Sequence, residues 1–487
     1  MYHPPSKRNQ FIRRTIIYTA MTTAVISIVA GILLLLVGYD FNRKAGQIEQ
    51  GGLIQFASVP SGATIKIDGN ELTGRTPTKS QAFAGDHNVT MDKIGYNSWQ
   101  KSINLVAGTI LWLDYARLIP TELKPEPVIN FTNLSSTLPS VDSKQLAIIE
   151  NQSIPNIHIV NVDDEKTPLS TVVLPIDSYS PNLSGEKQSF SLESWDNSGR
   201  YIIVKHKYDL NKTEWIILDS KDISKTKNIT SLLAIDISTI VFDKSNNRIV
   251  FVQTGNDIRS VDLNADTLSR VLVSNVEKFN LSESSVINYV TTIDQEKNIR
   301  SVGYYQTGSE KPVIVRSYDD SVIPLNISTG NYFNNDYIAI NHGQDIDLFR
   351  LNLPKDSAEA ANIESFKNFD IVGGSEWLSF GNKGRFVIAQ NGNIYTVHDL
   401  ELDKTTTTEL KGASVNSKKI SWLDNYILWN DSDSMARIYE FDGANQRDIM
   451  PVTPGFSALI TPNGDFMYAF NKTDTGVYQL QRVKLKI

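Results

Sequence analysis

The chain has 487 residues, too many for one ordinary core of about 100–200 residues, so we expect two to four structural units. Hydrophobic residues make up 40% and charged residues 21%, and the mean hydropathy is -0.23. This composition excludes a wholly disordered chain and a polytopic membrane protein. The net charge of -7 argues against nucleic acid as a partner, and the lack of cysteine excludes disulfides, thiolate metal sites and cysteine nucleophiles.

The first predicted element is a transmembrane helix over residues 15–38. The 23 residues from Thr15 to Val37 carry no charge. At about 1.5 Å per residue they can cross a hydrocarbon core that is about 30 Å thick. A cleaved signal peptide is the alternative, but its apolar region is normally about 7–15 residues long and ends in a small-x-small site. The longer segment here favours a retained anchor.

Residues 1–14 are predicted to form a basic cytoplasmic tail. They include no acidic residue and four cationic ones, Lys7, Arg8, Arg13 and Arg14. The flank after the helix mixes both signs of charge. The positive-inside rule therefore predicts a single-pass plasma-membrane protein with a cytoplasmic N-terminus and extracellular C-terminal domains.

Residues 39–53 are polar and contain glycine, which predicts a short stalk. Short strands over residues 54–120 then predict a small antiparallel β-sandwich. The turns at Pro60-Ser61-Gly62 and Asp68-Gly69-Asn70 use residues that tolerate positive φ.

Four motifs in this segment resemble the PEGA-domain family. They are Pro60-Ser61-Gly62-Ala63, Ile67-Asp68-Gly69, Gly74 to Pro77, and Gly95-Tyr96. Ser61 replaces the glutamate that gives the family its name, a change that a turn position tolerates. The resemblance implies a small extracytoplasmic β module of surface proteins, and no catalytic residue carries over from it.

Three prolines from Pro120 to Pro127 predict a rigid linker at 121–127. From 128 to 487 a pattern repeats: an apolar residue, a turn of Asp, Asn, Ser, Lys or Gly, an apolar strand, and a second strand. Seven copies are clear, and a weaker eighth lies at Ser282 to Val290. The mean spacing of about 46 residues is typical of propeller blades.

The repeats are similar to those of the TolB and WD40-like propeller superfamily, and Thr461-Pro462-Asn463-Gly464-Asp465 is the nearest match to its turn. The predicted fold is thus an all-β ectodomain, a small β-sandwich plus a seven- or eight-bladed β-propeller, with one N-terminal transmembrane α-helix. Ring closure would place Val128 to Phe131 beside the strands from Tyr478 to Leu485. An open β-solenoid or a sandwich array is the alternative.

No motif predicts a catalytic, cofactor or metal site. The six histidines lack the spacing of metal ligands; they are His3, His87, His158, His206, His342 and His398. Ser184 to Lys187 and Ser224 to Lys227 fit Ser-x-x-Lys, but the companion motifs of β-lactamases are absent.

Two groups of oxygens resemble parts of calcium loops. Asp262, Asn264 and Asp266 form one, and Asp431 and Asp433 the other, but neither has the Gly and the bidentate Glu of an EF-hand. Both are therefore predicted as turns. Five tryptophans are predicted to lie in blade cores rather than on binding platforms; they are Trp195, Trp215, Trp377, Trp422 and Trp429.

The favoured function is a non-enzymatic, membrane-anchored scaffold without a cofactor, whose propeller binds an envelope protein or polysaccharide. The alternative is an enzyme that acts on envelope glycans or peptides, with a site in the propeller channel, where distant residues can meet. Asp, Glu, His or Arg clustered at one mouth of the channel would favour the enzyme, and a broad apolar rim would favour the scaffold.

Overall fold

The computed structural model describes residues 7–42, 46–164, 166–185, 187–209, 212–319, 324–381, 383–410, 418–432 and 434–486. The chain divides into two compact units, Met1–Glu122 and Leu123–Ile487.

The first unit begins with helix α1, Lys7–Leu36. Its apolar part, Gln10–Leu34, has a mean hydropathy of 2.1 and is not buried by the rest of the protein. The helix ends before Gly38, whose φ of 89° interrupts the helical backbone. Residues 7–14, predicted as a tail, are instead helical, because nothing in their sequence breaks the helix.

The β-strands of this unit form two four-stranded sheets. In the first sheet β2 lies at the centre and pairs with β1, β5 and, in parallel, β8; the second has the order β4-β3-β6-β7. The strands are β1 (Tyr39–Asn42), β2 (Gln47–Val59), β3 (Thr64–Ile67), β4 (Asn70–Arg75), β5 (Thr78–Phe83), β6 (Gly85–Asp92), β7 (Trp99–Leu105) and β8 (Ile110–Arg117).

One core fills the space between these two sheets. Alternate residues point inward, such as Ile54 and Phe56 on β2 and Val89 and Met91 on β6, and Trp99 is the largest of them. The sheets thus form the predicted sandwich.

The predicted stalk at 39–53 is wrong. These residues form β1 and the first half of β2, which pair with each other. Gly51 and Gly52 are buried, and a Cβ on Gly52 would lie 2.7 Å from the Leu105 side chain. Glycine here permits close packing rather than flexibility.

The second unit contains eight four-stranded sheets within the described residues. Blade 1 runs from β10 (Ser136–Pro139) to β13 (Leu169–Val173), and blade 2 from β14 (Ser189–Trp195) to β17 (Lys227–Asn228). Blade 3 runs from β18 (Thr239–Phe242) to β21 (Thr267–Leu268), and blade 4 from β22 (Val276–Leu281) to β25 (Val313–Tyr318). The inner members of these blades are β11 (Gln145–Ile149), β12 (Asn156–Asn161), β15 (Tyr201–Tyr208), β16 (Lys212–Asp219), β19 (Ile249–Thr254), β20 (Asp257–Asp262), β23 (Ile287–Thr291) and β24 (Arg300–Tyr305).

Blades 5 to 7 run in sequence, and blade 8 takes its fourth strand, β9 (Glu126–Phe131), from the start of the unit. Their strands are β26 (Leu325–Tyr332), β27 (Asn335–His342), β28 (Asp345–Leu351), β29 (Lys367–Asp370), β30 (Trp377–Phe380), β31 (Phe386–Asn391), β32 (Ile394–Asp399), β33 (Lys404–Glu409), β34 (Ser421–Trp422), β35 (Ile427–Asn430), β36 (Met435–Glu440), β37 (Arg447–Pro451), β38 (Leu459–Ile460), β39 (Phe466–Lys472) and β40 (Tyr478–Lys484). Two short helices, α2 (Ile229–Leu233) and α3 (Ser357–Ala361), lie between strands.

The blades close into a ring. First strands of neighbouring blades contact one another in the pairs β10 and β14, β14 and β18, and β26 and β30, which places the first strands at the centre. Leu146 and Val160 of blade 1 share a core with Leu459 and Phe470 of blade 8. This contact excludes the open solenoid and fixes the number of blades at eight.

The predicted closing pair is confirmed, because Phe131 is opposite Tyr478 and Ile129 is opposite Leu480 in the register of β9 and β40. β9 starts at Glu126, so the end of the predicted linker 121–127 belongs to blade 8.

The turns that the sequence repeats join the first and second strands of each blade. In blade 2, the Asp196 carboxylate accepts hydrogen bonds from the backbone N–H groups of Ser198, Arg200 and Tyr201. Asp243 accepts from Ser245 in the same way in blade 3. The turn residues are therefore fixed by backbone hydrogen bonding.

Candidate functional site

One cavity among the described residues lies in the channel of the propeller. It has a volume of about 750 Å³ and is lined by β22, β26 and β30, the first strands of blades 4, 5 and 6. Lys244 and Lys419 extend the lining to the neighbouring blades. This volume is within the range of small-molecule sites, about 300–1,000 Å³.

At one end of the cavity, where the first strands begin, Lys278 is held in a defined position. Its ammonium donates a hydrogen bond to Asn326 Oδ1 over 2.8 Å. The Asn326 amide in turn donates to Asn341 Oδ1 and to the Ser375 carbonyl. Asn326 is thereby fixed as an acceptor and orients the lysine.

The pKa of Lys278 is lowered from its ordinary value. The main cause is burial, which removes water from the ammonium; the Glu277 carboxylate opposes this effect, and the cations of Arg300 and Lys419 add to it. The side chain nevertheless remains exposed to the solvent of the cavity. A bound anion would therefore offset the cost of burying this ammonium.

The other end of the cavity is formed by the turns after the first strands. Lys244 and Glu283 form an ion pair there, and Lys383 has no ion-pair partner among the described residues. The lining as a whole has four lysines and two glutamates, a balance of +2 in a chain of net charge -7. The cavity is thus a local basic region.

The walls between the two ends are polar and aromatic. Asn288 donates to Asn280 Oδ1 and accepts from Thr329, which links blades 4 and 5. The aromatic part comes from Trp377 and Phe380 of β30. These groups can offer hydrogen bonds and a flat apolar surface to one ligand.

The histidines singled out in the sequence are dispersed over the molecule. His87 lies in the sandwich, where its hydrogen bonds to Asp68 and to the Phe83 carbonyl outweigh burial and raise its pKa. His3 is outside the described residues. The other four lie on second or third strands of four different blades: His158 of blade 1, His206 of blade 2, His342 of blade 5 and His398 of blade 6. The described residues hold no group of three or more metal-ligand side chains.

His206 belongs to a fully buried pair with Glu214, at 2.8 Å. Burial opposes ionisation of Glu214, but hydrogen bonds from His206, Ser180 and Asn228 outweigh it and lower its pKa. Every partner is a packed structural group of blade 2 or its flanking loop. The pair stabilises the blade and does not face the channel cavity.

The remaining sequence candidates are also structural. Ser184 N–H donates to Asp209, and Ser224 donates to Asp222, both on exposed loops. Asp262 caps its own turn, while Asp266 forms an ion pair with Lys227. Asp431 accepts from the backbone of Ala458; Asp433 and Glu186 lie outside the described residues.

All five tryptophans are buried or half-buried in blades, as predicted. Trp195 and Trp215 donate to the carbonyls of Leu138 and Ile237; Trp422 and Trp429 are half-buried. Trp377 packs on a blade core and also lines the cavity. The sequence prediction missed this second role, as it missed the lysines.

The sandwich has its own fixed turn structure. Thr76 is buried, and its hydroxyl accepts from Ala63 N–H at 2.9 Å and lies 2.6 Å from Ser58 Oγ. Gly62 N–H donates to the Thr76 carbonyl. The Pro-x-Gly-Ala and Gly-x-Thr-Pro motifs are therefore joined to each other by hydrogen bonds. The segment that contains them, residues 52–118, matches the family model described as PEGA domain. Residues 52–118 are a PEGA domain.

The glutamate usual in the name motif of the PEGA domain is Ser61 here, in an exposed turn where Gly62 has a φ of 85°. The substitution leaves the turn intact. The PEGA domain covers only the first unit and says nothing of the propeller.

Among solved structures, an oligogalacturonate lyase in complex with manganese is similar at a TM-score of 0.43 and 9% identity, covering 75% of this chain and 98% of that chain. The propeller assignment rests instead on the sheet order and the closed ring described above. No curated protein matches the chain significantly.

Proposed function

We propose that this chain is a single-pass membrane protein that holds a PEGA domain and an eight-bladed propeller outside the cell, where the propeller serves as a binding scaffold for a component of the envelope. The observation that carries the proposal is the helix α1, whose 25-residue apolar part is unburied. Such a surface is stable in a bilayer and unfavourable in water.

The orientation follows from charge. Lys7, Arg8, Arg13 and Arg14 precede or begin the apolar segment, and the positive-inside rule keeps them in the cytoplasm. The β units then lie on the opposite side of the membrane.

Binding rather than catalysis is supported by the chemistry of the channel cavity. Lysine, asparagine and hydroxyl side chains make up most of its polar lining. Of its two glutamates, Glu283 is engaged with Lys244 and Glu376 is exposed. Cations and amides held in place bind an anionic or polyhydroxylated ligand by hydrogen bonds.

Topology can be tested cleanly because the chain has no cysteine. We would introduce Ser224→Cys, on an exposed propeller loop, or Ser6→Cys before the helix, and treat intact cells with a membrane-impermeant maleimide. Only Ser224→Cys should react, and Ser6→Cys should react after lysis. If Ser6→Cys alone reacts in intact cells, the orientation is the opposite of the proposed one.

The same Ser6→Cys variant tests retention of the helix. Label at this position should remain on the full-length protein in washed membranes. Its loss from the mature chain would show a cleaved signal peptide and refute the anchor.

A further inference from the structure

We propose that the channel cavity of blades 4 to 6 binds a linear acidic oligosaccharide, an inference that rests on the proposed binding function. The lining combines cations at two levels, neutral hydrogen-bonding groups between them and an aromatic surface.

The two levels of charge suit an elongated anion. Lys278 and Lys419 lie where first strands begin, and Lys244 and Lys383 lie in turns where first strands end. From Lys278 to the turn at Glu283 the strand advances about 16 Å, at about 3.3 Å per residue. Acidic groups spaced along one chain could therefore meet lysines at both ends.

The lysines at the strand-start level are available to a ligand. Asn326 is the hydrogen-bond partner of the Lys278 ammonium among the described residues, and the Lys419 side chain has none there. Each ammonium has three donors, so at least two donors of Lys278 remain for oxygen atoms of a ligand.

The neutral lining favours a sugar over other anions. Sugars present many hydroxyls together with apolar C–H faces, which need hydrogen-bonding side chains beside an aromatic ring. The hydrogen-bonding side chains are those of Asn280, Ser328 and Ser379, and the aromatic ring is that of Trp377. The Trp377 indole N–H has no partner among the described residues and adds a donor.

The test uses the full-length protein in nanodiscs and four probes: a uronic acid tetrasaccharide, its carboxyl-reduced neutral form, tetraglutamate and inorganic phosphate. Calorimetry should show binding of the acidic sugar that weakens with salt. Each of the other three should bind at least about tenfold more weakly, since it lacks either the charge or the hydroxyls.

The variant Lys278→Gln/Lys419→Gln should weaken binding of the acidic sugar at least about tenfold. Trp377→Ala should weaken binding of both sugars. Lys484→Gln is the matched control, because Lys484 is exposed on β40, away from the cavity; its affinity should equal that of the original protein. The melting temperature of each variant confirms folding.

Several results would overturn the inference: no binding of the acidic sugar, unchanged affinity in the folded double variant, or equal affinity for tetraglutamate, which would indicate a peptide site. Cleavage of the tetrasaccharide would instead refute the non-enzymatic function and leave the ligand class intact.

A separate observation concerns the hairpin that follows the membrane helix. Phe41 on β1 and Ile48 on β2 are direct cross-strand partners and are 55% and 62% exposed. Phe41 comes only seven residues after Leu34, the end of the apolar segment. We infer that this apolar pair inserts into the interfacial layer of the membrane.

Single-cysteine variants with an environment-sensitive fluorophore test this inference in nanodiscs. Phe41→Cys and Ile48→Cys should show blue-shifted emission that brominated lipids quench at least about twofold. Ile94→Cys, at a fully exposed site of the same PEGA domain, should show neither effect. Identical spectra at the three sites would refute the insertion.

Discussion

The PEGA domain and the propeller are both built from four-stranded sheets, but the sheets pack against one another in different ways. The PEGA domain packs two sheets around one core cluster. The propeller distributes its core over seams between neighbouring blades and closes with a contact between residues 349 positions apart, Asn130 and Gln479. We therefore expect a single core side chain to matter most in the PEGA domain, and a whole strand to matter most in the ring.

Removal of the last strand should have the largest effect. Deleting residues 477–487 removes β40, which joins β39 to β9. The exposed strands and the lost seam should unfold the whole propeller, while the PEGA domain keeps its own thermal transition. Calorimetry and limited proteolysis can separate the two. A propeller transition at the original temperature would show that closure contributes little.

Loss of one large core side chain should be the next largest effect. Trp99 is 1% exposed in the PEGA domain, so Trp99→Ala should lower the free energy of unfolding by about 3–5 kcal/mol. Only the PEGA transition should move. Trp112→Ala, at a residue 48% exposed, is the control and should cost less than about 1 kcal/mol.

In the propeller, Glu214→Gln should destabilise blade 2 by about 1–3 kcal/mol, because buried donors lose a charged acceptor. The folded pKa of Glu214 is lowered, so its ionisation stabilises the protein above its ordinary pKa of 4.5 and this contribution is lost as pH falls through the folded pKa. The difference in unfolding free energy between the two proteins should narrow in that acid range. A constant difference would contradict the assignment.

Two arginines offer a graded comparison within the ring. Arg385 makes two hydrogen bonds to Asp399, at 2.9 and 2.7 Å, with side chains 17% and 3% exposed. Arg385→Lys should cost about 1–2 kcal/mol, since lysine cannot bind both oxygens in this geometry. Arg200→Lys, with the arginine 33% exposed beside Asp219, should cost less. The reverse order in denaturant unfolding would be inconsistent with burial as the cause.

The smallest effect is expected at the exposed ion pair of the closing seam. Arg482 and Glu126 are 3.2 Å apart, with side chains 26% and 64% exposed. Glu126→Gln should change the stability of the propeller by less than about 1 kcal/mol, and added salt should remove the difference. A larger loss would show that this pair, rather than the strand pairing, holds the ring closed.

The sequence predicted the blades because their turns depend on local residues. Asp196 and Asp243 accept hydrogen bonds from the backbone N–H groups two residues later in the chain. The local sequence is therefore enough to predict each turn. The sequence pattern of blade 4 was weak because Ser282 stands where the turns of blades 2 and 3 have aspartate. In addition, its third strand, Arg300–Tyr305, follows an irregular turn.

Features that depend on distant contacts could not be predicted. In the sequence, Gly51 and Gly52 indicate a flexible stalk. Only the structure shows that Leu105 packs against Gly52 and leaves no room for a larger side chain there. The lysines of the cavity come from four blades and meet only after the ring has formed. No local spacing predicts such a cluster.

The position of β9 also governs how the protein can be made. This strand is among the first parts of the propeller to be synthesised, and its partner β40 is the last. At a synthesis rate of about 5–20 residues per second, the two are separated by tens of seconds. Throughout that time β9 and β39 each have an unpaired edge, which must be protected from aggregation and proteolysis until the final strand has been translated.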